Sequence, residues 1–122
     1  MLIKMSRPKF IEKPWGHEEV LYETSDFVVL RMFIKKGEET SLHKHLNRDE
    51  YFIIVRGIGS LFLGKRRTPI KKGKMIHIRK GQEHLWMADE DLEIIEVTTP
   101  PLNDLVRIED KYGRIKGVET NE

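Results

Sequence analysis

The chain has 122 residues, 39% hydrophobic and 8% aromatic, enough for one domain with its own core and too apolar for a disordered polymer. It has no cysteine, so disulfides and thiolate metal sites are excluded, and any bound metal must be held by nitrogen and oxygen. A formal net charge of +2 does not mark a general nucleic-acid binder, and no apolar run has the length of a signal sequence or a bilayer span. These bounds predict one cytoplasmic domain over residues 1–122, with no nucleic-acid or membrane partner.

In chain order, residues 1–14 read as an N-terminal arm carrying Leu2, Ile3, Met5, Phe10 and Ile11. Residues 27–34 form an apolar, β-branched run that stops at Lys35-Lys36-Gly37. Residues 51–55 stop at Arg56-Gly57, 58–63 at Gly64 and 75–78 at Arg79-Lys80-Gly81. Two more runs, 85–87 and 92–97, complete the set, and Pro100-Pro101 ends the last. Short runs with glycine at the breaks predict an all-β sandwich or barrel. Asn103 is placed to cap a short helix over 104–107. No internal repeat or linker divides the chain. Two basic clusters, Lys65-Arg66-Arg67 and Lys71-Lys72-Gly73-Lys74, flank Thr68-Pro69-Ile70, suited either to a solvated hairpin face or to attracting an anion.

Four side chains in this frame carry metal chemistry. His43 and His45 are two apart, so on a strand they share a face. A short loop then leads to Glu50 at the start of an apolar strand, and His84 follows in Lys80-Gly81-Gln82-Glu83-His84. Imidazole and carboxylate together suit one divalent transition metal, with zinc the first choice and iron, manganese, nickel or cobalt also accommodated. Trp86 shares parity with His84 and Ala88, so it should face the interior with them, as core or as the wall of a ligand pocket.

The spacing Gly37, His43, His45, Glu50, Gly57 resembles the first signature of the cupin superfamily, and Gly73, Arg79-Lys80-Gly81, His84 resembles the second. The core motifs thus cover residues 37–57 and 73–88. The resemblance implies an antiparallel jelly-roll β-barrel, and it implies His43, His45, Glu50 and His84 as metal ligands. A narrower resemblance covers nearly the whole chain. Lys13-Pro14-Trp15-Gly16, Arg48-Asp49-Glu50, Ile95-Glu96-Val97 and the segment from Asp104 to Arg114 look like the cupin domain of type II mannose-6-phosphate isomerases. His43 stands where that family usually has Gln, and Asn47 where it has another His.

That resemblance implies an aldose–ketose isomerase for a phosphosugar of the mannose-6-phosphate type. Such chemistry needs a proton carrier between C1 and C2, a Lewis acid at the carbonyl and a cation for phosphate. Glu96, inside the last apolar run, is the candidate base, and Arg48, beside the ligand Glu50, is the second catalytic candidate. Arg31, Arg48 and Arg114 are the phosphate candidates, with Trp86 completing the substrate-binding set. Alternatives are an iron cupin oxygenase and a non-catalytic metal- or sugar-binding module, since one architecture hosts unrelated reactions. Cupins of this size also imply a homodimer in which the N-terminal arm extends a neighbour's sheet.

Overall fold

The computed structural model describes residues 9–113, which contain eleven strands. They are β1 (Lys9–Lys13), β2 (Gly16–Glu23), β3 (Val28–Ile34), β4 (Leu42–His45), β5 (Glu50–Arg56) and β6 (Ile58–Leu63), then β7 (Arg66–Lys71), β8 (Met75–Ile78), β9 (His84–Ala88), β10 (Leu92–Thr98) and β11 (Leu105–Glu109). One sheet runs β1-β2-β3-β10-β5-β8 and the other β11-β4-β9-β6-β7. The strand pairs are antiparallel. Among the described residues no ladder joins the two sheets, so the jelly roll is built as a sandwich rather than a barrel closed by hydrogen bonds.

Alternation decides which side chains meet between the sheets. In β3, Val28, Leu30, Met32 and Ile34 are buried, and in β9 the buried set is His84, Trp86 and Ala88. The inner face of β10 changes character along its length, with Leu92 and Ile94 apolar, then Glu96 and Thr98 polar. Register carries the polar end across the sheet, since Glu96 lies opposite Leu30 and Phe52, and Thr98 opposite Glu50. One half of the interior is therefore an apolar core around Trp15, Ile34, Ile54, Leu61 and Leu92, while the other half holds histidines and carboxylates. Burying that second half needs partners for every polar group.

The turn from β5 to β6 explains one motif glycine. Gly57 has φ of 97°, and a Cβ there would lie 2.1 Å from the carbonyl oxygen of Asp91. Only glycine gives both the left-handed turn and the close approach.

The helix expected at 104–107 is absent. Residues Leu105–Glu109 form β11, which pairs with β4 through Leu105 opposite His45 and Arg107 opposite His43. The edge of β4 needed a partner, and burial of Leu105 at 0% exposure outweighs a local capping signal. Three further strands, β1, β2 and β7, lie outside the apolar runs of the sequence, because Lys9–Lys13, Gly16–Glu23 and Arg66–Lys71 are rich in charge. Lys9–Lys13 of the expected arm pairs with β2 of its own chain, and among the described residues no strand pairs with its outer edge. Among the described residues, no helix is long and apolar enough to cross a membrane.

Candidate metal centre

His43 and His45 point to the same side of β4, and pairing with β9 puts His43 directly opposite His84. The candidate ligand atoms of these three residues lie within 4.8 Å of one another. Glu50 enters from the facing sheet, with Oε2 3.5 Å from His45 Nε2 and Oε1 3.6 Å from His84 Nε2. All four residues are between 1% and 3% exposed. Two sheets thus bring the four expected side chains to one point.

The far nitrogen of each ring decides what the near one can do. His43 Nδ1 lies 2.7 Å from the Ser41 carbonyl oxygen, and His84 Nδ1 lies 2.9 Å from that of Gln82. A carbonyl only accepts, so both Nδ1 atoms carry the proton and each Nε2 keeps its lone pair for the cavity. His45 Nδ1 lies 3.1 Å from Asp104 Oδ1, which sets the same tautomer. Arg48 Nε comes within 3.0 Å of that nitrogen but within 2.8 Å of Asp104 Oδ1, and the charge-assisted bond takes its single proton. Three imidazoles with Nδ1 held by outer partners, together with one carboxylate, form a nitrogen and oxygen donor set that fits a divalent transition metal.

Asp104 organises this arrangement and was not foreseen as a site residue. Its Oδ2 accepts from the backbone N–H groups of Asn47 and Arg48, at 2.9 and 3.1 Å. Burial alone would push its carboxyl up, but the hydrogen bonds from His45 and Asn47 and the charge of Arg48 hold it well below the usual carboxylate range. Arg48 remains charged for the matching reason. Burial works against its guanidinium, while Glu96, Glu50 and Asp104 around it more than offset that cost.

The four expected ligands share a cavity of about 10 Å³ with Glu18, Met32, Arg48, Phe52, Trp86 and Glu96. Of the other expected site residues, Glu96, Arg48 and Trp86 are therefore brought to the centre. Glu96 is 2% exposed; its Oε2 is buried without a hydrogen-bond partner and lies 3.7 Å from Arg48 Nη1. Arg31 is not brought there. It lies on the outer face of β3 and pairs with Glu93 at 3.5 Å. Arg114 lies outside the described residues. Two further buried residues escaped the sequence reading, Glu18 and its partner Lys13, whose Nζ lies 3.6 Å from Glu18 Oε1. The available signal was parity, since Glu18 alternates with Gly16 and Val20 on the inward face of β2. The remaining histidines lie apart from the centre. His17 stacks between Phe10 and Phe33, and His77 stacks on Tyr51 near Asp49.

The sequence pattern described as mannose-6-phosphate isomerase C-terminal matches residues 4–110. The chain belongs to this family. Similar proteins include a mannose-1-phosphate guanylyltransferase of Escherichia coli, 29% identical over 88% of this chain and 24% of its own length. One from Sinorhizobium fredii is 30% identical over 81% of this chain and 20% of its own. The chain thus spans about a quarter or less of these relatives. Solved structures share the fold at low identity. CapF of Staphylococcus aureus, a capsular polysaccharide assembling protein, has a TM-score of 0.75 at 18% identity, covering 85% of this chain and 35% of that one. An RmlC-like cupin of Shewanella frigidimarina has 0.72 at 14%, covering 80% and 88%. The cupin fold and the family expected from the motifs are both met.

Proposed function

We propose that this domain is a metal-dependent aldose–ketose isomerase for a phosphosugar of the mannose-6-phosphate type. The observation that carries the reading is Glu96, a buried carboxylate lining the cavity with the histidines, whose Oε2 has no hydrogen-bond partner and lies 3.7 Å from Arg48 Nη1. A general base needs such an oxygen within reach of the substrate proton. Family membership supports the same chemistry.

In this reading, Glu96 takes the C2 proton as the C2–H electron pair becomes the C1=C2 bond and the C1=O π pair moves onto O1; the O2 proton passes to O1, and as C2=O forms the C1=C2 pair takes the proton back from Glu96 at C1. Arg48 stands beside Glu96 and Glu50 and balances their charge, while Asp104 and the backbone carbonyls of Ser41 and Gln82 keep the three imidazoles in one tautomer. A divalent ion held by His43, His45, Glu50 and His84 would supply Lewis-acid polarisation of the sugar carbonyl. With Arg31 on the outer face, Arg48 is the expected arginine that faces the cavity.

Size favours a second reading. About 10 Å³ admits an ion or one water, so a hexose phosphate enters only if the walls part. A domain that binds metal without turning over sugar fits this small cavity as it stands. Interconversion of mannose 6-phosphate and fructose 6-phosphate by metal-reconstituted protein separates the two. The isomerase reading expects metal-dependent turnover that falls about 100-fold or more in Glu96→Gln, with metal content unchanged. Stoichiometric metal without turnover refutes it for these sugars and leaves the binding module.

A further inference from the structure

The basic segment from Lys65 to Lys74 takes no part in the metal centre, yet it borders the largest cavity among those described, a groove of about 760 Å³. That size lies within the range of small-molecule sites. The groove opens along edge strand β7 and the turn that leads to β8, beyond the end of β5 that is opposite Glu50. Its cations are Arg67, Lys71, Lys72 and Lys74, against the single carboxylate of Asp89. Ile58 and Pro69 add an exposed apolar surface.

Charges on an edge strand often serve only to block edge-to-edge pairing, and Pro69 in β7 fits that role. Two observations exceed it. Arg67 Nε donates to Ser60 Oγ at 2.9 Å, and Ser60 is 1% exposed, so the guanidinium is anchored to the interior with its terminal nitrogens left for a ligand. The turn bearing Lys72 is also fixed: Gly73 N–H donates to Ile54 O at 2.8 Å, Ile54 N–H to Lys74 O at 2.9 Å, and Lys74 N–H to Lys71 O at 3.1 Å. Lys72 sits in the turn past the last residue of β7 and before β8, outside both edge strands.

We propose that this groove is a second ligand site, separate from the metal centre, for a phosphate ester carried on a hydroxylated ring. The anchored arginine and the lysines take the phosphate, with arginine able to bind two of its oxygens. Asp89 accepts from ring hydroxyls, and Ile58 and Pro69 pack against the ring's less polar face. A hexose phosphate and a nucleoside monophosphate share this chemistry.

The test is an amide NMR titration of the full chain at low salt with inorganic phosphate, glucose 6-phosphate and adenosine monophosphate. At least one ester should bind saturably, about tenfold more tightly than inorganic phosphate, shifting the amides of Ile58, Gly59 and Lys71 to Lys74. The tighter ester identifies the source. Arg67→Gln and Lys74→Gln should each weaken binding about tenfold. Lys65→Gln, in the same basic run but outside the groove, and His45→Ala, at the metal centre, should leave it unchanged. Equal loss in Lys65→Gln would reduce the effect to diffuse charge and overturn the site. Failure of both esters to bind more tightly than inorganic phosphate, or shifts confined to the metal centre, would overturn it as well.

Discussion

Replacing Asp104 tests the organisation of the metal centre most directly. Its two oxygens accept from four donors, His45 Nδ1, Arg48 Nε and the N–H groups of Asn47 and Arg48, at 2.8 to 3.1 Å. Its side chain is 2% exposed, so water cannot take over these bonds. Asp104→Ala leaves a buried guanidinium and two backbone donors without their acceptor. Breaking a buried pair in this way costs about 3–5 kcal/mol. For a chain of 122 residues the unfolding entropy is about 0.26 kcal/mol per degree, so the melting temperature should fall by about 15 °C. Asp104→Asn keeps the shape but removes the charge and turns an amide NH₂ toward donors, for a loss of about 2–3 kcal/mol.

Metal affinity should fall with stability, because His45 loses the partner that sets its tautomer. Loss of such a partner weakens metal binding about 10- to 100-fold. Thermal unfolding of metal-stripped protein and metal competition with a chelator measure the two effects separately. Asn103→Ala is the control. A helix starting there would lose its cap and about 1 kcal/mol, whereas an exposed residue before β11 should shift melting by less than about 2 °C. An Asp104→Asn protein that melts within about 3 °C of the parent and binds metal equally well would refute the reasoning.

Three further outcomes are expected. His84→Ala should weaken binding of a divalent transition metal by more than about 100-fold, exceeding the loss from any second-layer partner; equal metal content by elemental analysis after dialysis would contradict this. Gly57→Ala should lose about 2–4 kcal/mol in urea unfolding, since the new Cβ meets the Asp91 carbonyl at 2.1 Å in a left-handed turn; a loss under about 0.5 kcal/mol would show that the turn relaxes freely. Glu38 binds Lys111 and the Tyr112 hydroxyl, each at 2.8 Å, and these bonds hold its carboxyl below the ordinary value. A lowered folded value means the clasp is intact above the ordinary carboxylate range and is lost as pH falls through the folded value. Exchange protection of the Gly113 amide, which donates to Asp110 O at 3.1 Å, should therefore fall on acidification relative to its intrinsic rate, and Glu38→Gln should lower it already at neutral pH.

The metal centre was legible because its signal is local and periodic. His43 and His45 share a strand face by spacing alone, and His84 and Trp86 share another. Glu96 was legible as a carboxylate inside an apolar run, although its burial depended on register with Leu30 and Phe52. What stayed hidden depended on tertiary pairing. Asp104 is adjacent to a cap-like asparagine, and nothing nearby in sequence shows that β4 has a free edge 60 residues upstream for which residues 105–109 are the partner. Lys13 and Glu18 look like surface charges in a polar stretch, and the packing of β1 and β2 turns them inward. Arg31 looked functional as a charge within an apolar strand, but alternation sends it to the outer face.

These errors share a cause that bears on function. Among the described residues, the buried cluster holds four carboxylates, on Glu18, Glu50, Glu96 and Asp104, against two side-chain cations, Lys13 and Arg48. In formal charge, and with the imidazoles neutral, the protein side is two negative. A fold selected for stability alone would replace such a cluster with apolar side chains, which is often neutral or stabilising. Here the apolar half of the same interior shows that the sheets can be packed that way. The polar half therefore needs a cause outside stability, and one divalent cation among His43, His45, His84 and Glu50 would balance its charge. The same count separates the structural charges from the chemical one. Asp104 accepts from four donors, whereas Glu96 Oε2 has no hydrogen-bond partner and pairs with Arg48 Nη1 at 3.7 Å, which leaves it a lone pair for the proposed proton transfer.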